Sequence, residues 1–82
     1  MKIKRKIAVS ESGFLFDPTN GESYSLNDLG LEILNLLKEG RSDSEIVEYI
    51  TGKYEVGPEE FEKYYLDFTG MLRQFNLVEN EQ

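Results

Sequence analysis

The chain has 82 residues, nine Lys and Arg against sixteen Asp and Glu, and neither cysteine nor histidine. That composition excludes a disulfide framework and a thiolate metal site, and it removes the commonest general base and imidazole ligand at neutral pH. Four of the nine cations are Lys2, Lys4, Arg5 and Lys6, so the rest of the chain holds five cations against sixteen anions, a net of −11 that repels a phosphate backbone.

The length fits one domain, residues 1–82, with an ordered core of about 3–79, near the lower limit of what folds without cross-links. "KIKRKIAV" alternates as a strand, with Ile3, Ile7 and Val9 on one face and the lysines on the other, although Arg5 falls on the apolar face. "ESG" turns, and "FLFD" is a short strand with Phe14 and Phe16 pointing one way and Leu15 the other. "DPTNGE" is dense in turn formers, and "SYSL" returns as a third strand, which makes residues 13 to 26 a hairpin within a three-stranded meander.

From Asn27 the period changes. Asn27 caps a helix with Asp28 in its first turn, Leu29, Ile33, Leu36 and Leu37 form its stripe, and Leu26 precedes the cap as a staple. Gly40 ends it as a C′ residue. "SDSE" opens a second helix as a capping box, with Ile46, Val47 and Ile50 inward. Pro58 at the N1 position and the acids after it start a third helix. On that helix Phe61, Tyr64, Tyr65, Phe68, Met71, Leu72 and Phe75 fall within an arc of about 120°. "ENEQ" is expected to fray. The fold class is α+β, winged helix-turn-helix-like: a three-stranded antiparallel N-terminal sheet followed by three helices.

No catalytic residue emerges. The acid-rich pieces "GESYSLND", "SDSEIVE" and "PEEFE" lie at turns and helix starts, where carboxylates already serve as caps or dipole partners. "DPTNGES" lacks the later glutamate of a calcium loop, and no glycine loop for phosphate is present. Neither enzyme activity, nor a cofactor, nor a bound metal is expected. The near-apolar run "LGLEILNLL" is too short to span a membrane, the basic start lacks a signal-peptide core, and the absence of cross-links fits a reducing, cytoplasmic setting.

Two features exceed what a core needs. Phe61, Tyr65, Phe68 and Leu72 occupy the centre of the third helix's arc, but Tyr64 and Met71 lie toward one edge with Asp67 just beyond. In a meander the Ser23–Leu26 strand is an edge with no lysine or proline to guard it. An open edge accepts a strand from a partner. Cover from the chain's own third helix or tail, and homodimerisation, remain alternatives.

The run "YSLNDLGLEILNLLKEGRSDSEIVEYITGKYEV" resembles the PqqD-like family, also called RiPP precursor-peptide recognition elements. "GFLFDPTNGESY" is similar to that family's hairpin and "DFTGMLRQFNLV" to its last helix, so the likeness covers roughly residues 7 to 79. Two departures are Leu34, where the family often has Trp, and Asn76, where it often has Gly. The resemblance implies a domain that binds the leader segment of a ribosomally made precursor peptide. The leader adds as an antiparallel strand, and the domain presents the precursor to a separate modifying enzyme such as a radical-SAM protein, a cyclase or a leader protease, as in PQQ, sactipeptide or lasso-peptide pathways. Carried onto this chain, Ser23, Tyr24 and Ser25 form the rail, while Tyr64, Asp67, Phe68 and Met71 line the opposite wall. The expected partners exclude nucleic acid and membrane, and the chain is expected to be a monomer or weak dimer. The alternatives are a helix-turn-helix DNA-binding regulator and a structural subunit of a larger complex. Between Arg41 and Lys63 carboxylates outnumber cations by more than two to one, which disfavours the regulator.

Overall fold

Turn chemistry shapes the N-terminal third. In the computed structural model, which describes residues 1–79, β2 (Phe14–Asp17) and β3 (Glu22–Ser25) form a hairpin. Its loop is closed by the Gly21 N–H donating to the Asp17 carbonyl at 2.9 Å, and the Asp17 carboxylate accepts from the Thr19 N–H at 2.9 Å. Those bonds account for a carboxylate that is only 4% exposed. β1 (Ala8–Val9) pairs on the other side of β2, giving an antiparallel sheet in the order β1-β2-β3. The register sets Leu15 against Val9 and Tyr24 on the inner face, and Phe14 against Ser25 and Phe16 against Ser23 on the outer face.

The expected long first strand is not formed. The Ile7 N–H bonds back to the Lys4 carbonyl at 3.1 Å, a turn through Arg5 and Lys6 that leaves only Ala8 and Val9 in the sheet. A continuous strand would have carried Arg5 to the inner face with Ile3 and Ile7. The turn buries both isoleucines and leaves Arg5 exposed. Ile3 instead forms an isolated bridge with Val78, and the Glu79 N–H donates to the Lys2 carbonyl at 2.8 Å. Glu79, expected to fray, is thus bonded; the rest of that expectation, residues 80–82, lies outside the described residues.

The helices match their caps. α1 (Asp28–Lys38) starts with the Asn27 side chain accepting from the Gly30 N–H at 2.7 Å. It ends at Gly40, whose φ of 88° lets its own N–H reach the Leu37 carbonyl and the Arg41 N–H reach that of Leu36. α2 (Asp43–Tyr54) carries both bonds of the Ser42–Glu45 capping box. α3 (Pro58–Gln74) has Pro58 in its first turn. Leu15, Ile33, Leu37, Ile46, Ile50, Phe61 and Leu72 make one buried core between the sheet's inner face and the three helices. Asn76 adopts φ 60°, the left-handed conformation that asparagine tolerates better than most residues. It turns the chain so that Leu77 is buried.

Candidate functional site

The ladder alternation decides which backbone groups are free. The Leu26 N–H donates to the Gly13 carbonyl at 2.7 Å, so in the same register Leu15 and Tyr24 are the next hydrogen-bonded pair. Ser23 and Ser25 then point their N–H and C=O groups away from β2. On the far side of the sheet the Ser10 N–H donates to the Phe14 carbonyl at 2.8 Å, the alternation expected for a central β2. Among the described residues β3 pairs with no strand but β2, so this outward row is open. The alternatives in which the tail covers it do not hold for residues up to 79, because Val78 pairs with Ile3 instead.

Beside the open edge runs a stripe of α3. Tyr64, Phe68, Met71 and Phe75 follow one another at spacings of four, three and four, one line along a helix. Both ends of the line are tied to the β3 segment. At one end the Tyr64 hydroxyl lies 3.4 Å from the Asn27 side-chain oxygen, the atom that also caps α1. At the other the Phe75 and Tyr24 rings are 4.9 Å apart, tilted by 41°. In the middle, α1 starts so close to α3 that a Cβ on Gly30 would stand 3.1 Å from the Phe68 ring. The stripe therefore lies alongside the segment from Tyr24 to Asn27. From Tyr64 to Phe75 it spans about 16 Å, the length of about five extended residues.

Each expected site residue can now be placed. Ser23 and Ser25 are exposed, supply the free backbone row, and send their hydroxyls to the outer face; Tyr24 is half-buried on the inner face. Tyr64 and Met71 are half-buried and Asp67 is exposed on the same side of α3. Phe68, 8% exposed, is a floor stacked on Tyr64 with rings 6.3 Å apart, not an upstanding wall. Three further residues belong with them: Leu26, Asn27 and Phe75. Phe75 was visible as the last member of the aromatic arc, but nothing in the sequence places it against Tyr24. Their contact fills part of the strip, with the Phe75 ring 40% exposed at the helix end.

The arrangement offers main-chain hydrogen bonds, an apolar strip and one rim carboxylate. Among the described residues no three Asp or Glu side chains come together to hold a metal ion, and no helix is long and apolar enough to cross a membrane.

A family model described as Coenzyme PQQ synthesis protein D (PqqD) matches residues 13–78. Two solved structures share the fold. One, described as TbiB1 in complex with the TbiA(beta) leader peptide, is 29% identical, with TM-score 0.88 over 100% of this chain and 99% of that one. The other, described as lasso peptide synthetase B1 complexed with the leader peptide, is 24% identical, with TM-score 0.84 over 96% of each chain. No curated protein sequence matches.

Proposed function

The chain belongs to the PqqD family, and from that premise we propose that it captures the leader segment of a ribosomally made precursor peptide and holds it for a separate modifying enzyme. The observation that carries this reading is the outward row of Ser23 and Ser25 N–H and C=O groups beside the Tyr64–Phe75 stripe. A structure 29% identical over the whole chain, described as a leader-peptide complex, supports it.

The leader pairs antiparallel to β3. Peptide residues opposite Ser23 and Ser25 exchange main-chain bonds and turn their side chains to the outer face. The residue between them, opposite Tyr24, sits in a non-hydrogen-bonded position and turns inward against Met71 and Phe75. Main-chain bonds supply affinity with little sequence demand, and the inward position supplies selectivity. Asp67 at the rim meets a cation of the leader. Tyr64, Phe68 and Met71 form the facing wall and floor. The domain, residues 1–82, acts as a cytoplasmic peptide chaperone without chemistry of its own; the reaction belongs to the partner, a radical-SAM protein, a cyclase or a leader protease.

Fluorescence anisotropy with labelled leaders of short precursor reading frames encoded beside this chain tests the reading. Tight binding by one of them, lost in Ser25→Pro, is expected. Undiminished affinity in that variant would falsify strand addition to β3.

A further inference from the structure

Positive charge on this acidic chain gathers where the N-terminal turn meets the end of α1. The two segments enclose a cavity of about 490 Å³, with Lys2, Arg5 and Lys38 among its lining groups and no carboxylate. Its apolar walls include Ile3 and Leu37, both buried in the core. The fold makes little use of these charges. The Leu36 and Leu37 carbonyls at the end of α1 are capped by the Arg41 and Gly40 N–H groups, so they do not need a cation. The Lys38 ammonium donates to the Ile7 carbonyl at 2.9 Å, and its other two donors have no partner among the described residues. Lys2 reaches one carboxylate, that of Glu79, at 3.9 Å. The Arg5 guanidinium has no hydrogen-bond or ion-pair partner among the described residues.

Two observations relate this cavity to the peptide. β1, which continues the basic turn, and β3, which carries the rail, lie on opposite sides of β2, about 10 Å apart. A leader on the β3 edge therefore leaves the cavity uncovered. An antiparallel leader also runs from Ser25 toward Ser23, so the part of the precursor that follows it leaves the sheet at the Glu22 end. The Lys6 ammonium donates to the Thr19 hydroxyl in the hairpin loop at that same end, which ties the basic turn to the side where the precursor emerges.

We propose that the basic cavity is the docking site for the modifying enzyme, and that it receives an acidic segment of the enzyme with an apolar residue beside its Asp or Glu side chains. The proposal rests on the leader capture set out above. Arg5 forks onto a carboxylate, Lys2 and Lys38 flank it, and the apolar residue meets Ile3 and Leu37. A single exposed ion pair contributes little, but here three cations share one recess with apolar walls. The acidity of the rest of the molecule repels the same segment elsewhere, so the enzyme seats in one orientation, at the end of the sheet from which the precursor emerges. A phosphate polyanion is a poorer occupant, because it gains nothing from the apolar walls and meets the same repulsion beyond them.

The modifying enzyme encoded beside this chain, purified and titrated at physiological salt onto the immobilised protein saturated with leader, tests the site. Arg5→Glu and Lys2→Glu should each weaken enzyme binding at least tenfold, while leader affinity by anisotropy stays within twofold. Lys63→Glu, the same change of charge at an exposed position on α3, should leave enzyme binding within twofold. Lys2 and Arg5 are both exposed, so either variant keeps the test open if melting curves show that the other is unfolded. Enzyme binding indifferent to both reversals, with the leader still bound, overturns the docking site and leaves leader capture standing. A parallel loss of leader affinity in both variants overturns it too. So does Arg5-dependent retention of duplex DNA or phosphatidylglycerol vesicles with no retention of the enzyme. Failure of the native protein to bind any leader overturns both readings.

Discussion

Ser25 is where binding and folding are expected to separate. Its N–H faces out of the sheet, so Ser25→Pro removes no bond to β2 and, on the proposed strand addition, removes one to the peptide. Binding should fall by tenfold or more while the melting temperature moves little; the same change at Tyr24 breaks the β2 ladder, and its melting curve is the control. On α3, burial separates the aromatic arc in the same way. Phe61, 2% exposed, sits in the core, so Phe61→Ala should cost about 3 kcal/mol or more of stability. Tyr64→Ala and Met71→Ala remove half-exposed surface and should weaken peptide capture more than they lower the denaturation midpoint. Urea titrations and anisotropy on the three variants check this, and an equal loss of stability in all three would make the whole arc core.

Tyr65 gives a pH dependence. Burial, reinforced by its hydroxyl donating to the Asp43 carboxylate at 2.5 Å, pushes the phenol well above its ordinary value of 10.0. Its folded-state pKa is raised, so the stability it contributes is complete below the unfolded value and is lost as pH rises past it toward the folded value. Unfolding free energy should therefore drop as pH rises above about 10, and more steeply in the native chain than in Tyr65→Phe. Denaturant midpoints across that range measure the difference.

At the scale of elements, the helices were legible because their signals are local. Asn27, Gly40, Ser42 with Glu45, and Pro58 each act within one turn of their own position, and each is found doing so. Ser42→Ala removes the hydroxyl that accepts from the Glu45 N–H and should cost about 1 kcal/mol by thermal melting. Peptide affinity at temperatures where the fold is intact should be unchanged, since α2 does not border the rail. The first strand was less legible because its limit is not local. Alternation from Lys2 to Val9 is real, but keeping Arg5 out of the apolar interior and pairing Ile3 with Val78, 75 residues away, break it at Arg5–Lys6. No short window of sequence contains that information.

For the whole molecule, charge separates peptide capture from DNA binding. The helix pair of α2 and α3 could pass for a helix-turn-helix, yet outside Lys2–Lys6 the surface carries a net −11. Duplex DNA needs phosphates neutralised by Lys and Arg, and each such contact weakens with salt. An electrophoretic mobility-shift assay in 0.15 M salt should show no retarded duplex, and a stable complex there would revive the regulator reading. The same acidity favours a peptide bearing cations, which should bind more weakly as salt rises.

The sequence by itself determined the three caps, the hairpin, the absence of cysteine and histidine, and the aromatic arc of α3, because these depend on side-chain type and short-range periodicity. Only the tertiary structure decided which of the β3 amides face outward, that Phe75 rests on Tyr24, that Phe68 is buried as a floor, and that the Tyr64 hydroxyl reaches Asn27. Those are relations between residues tens of positions apart. They are fixed by how the sheet and helices pack, which no local pattern encodes.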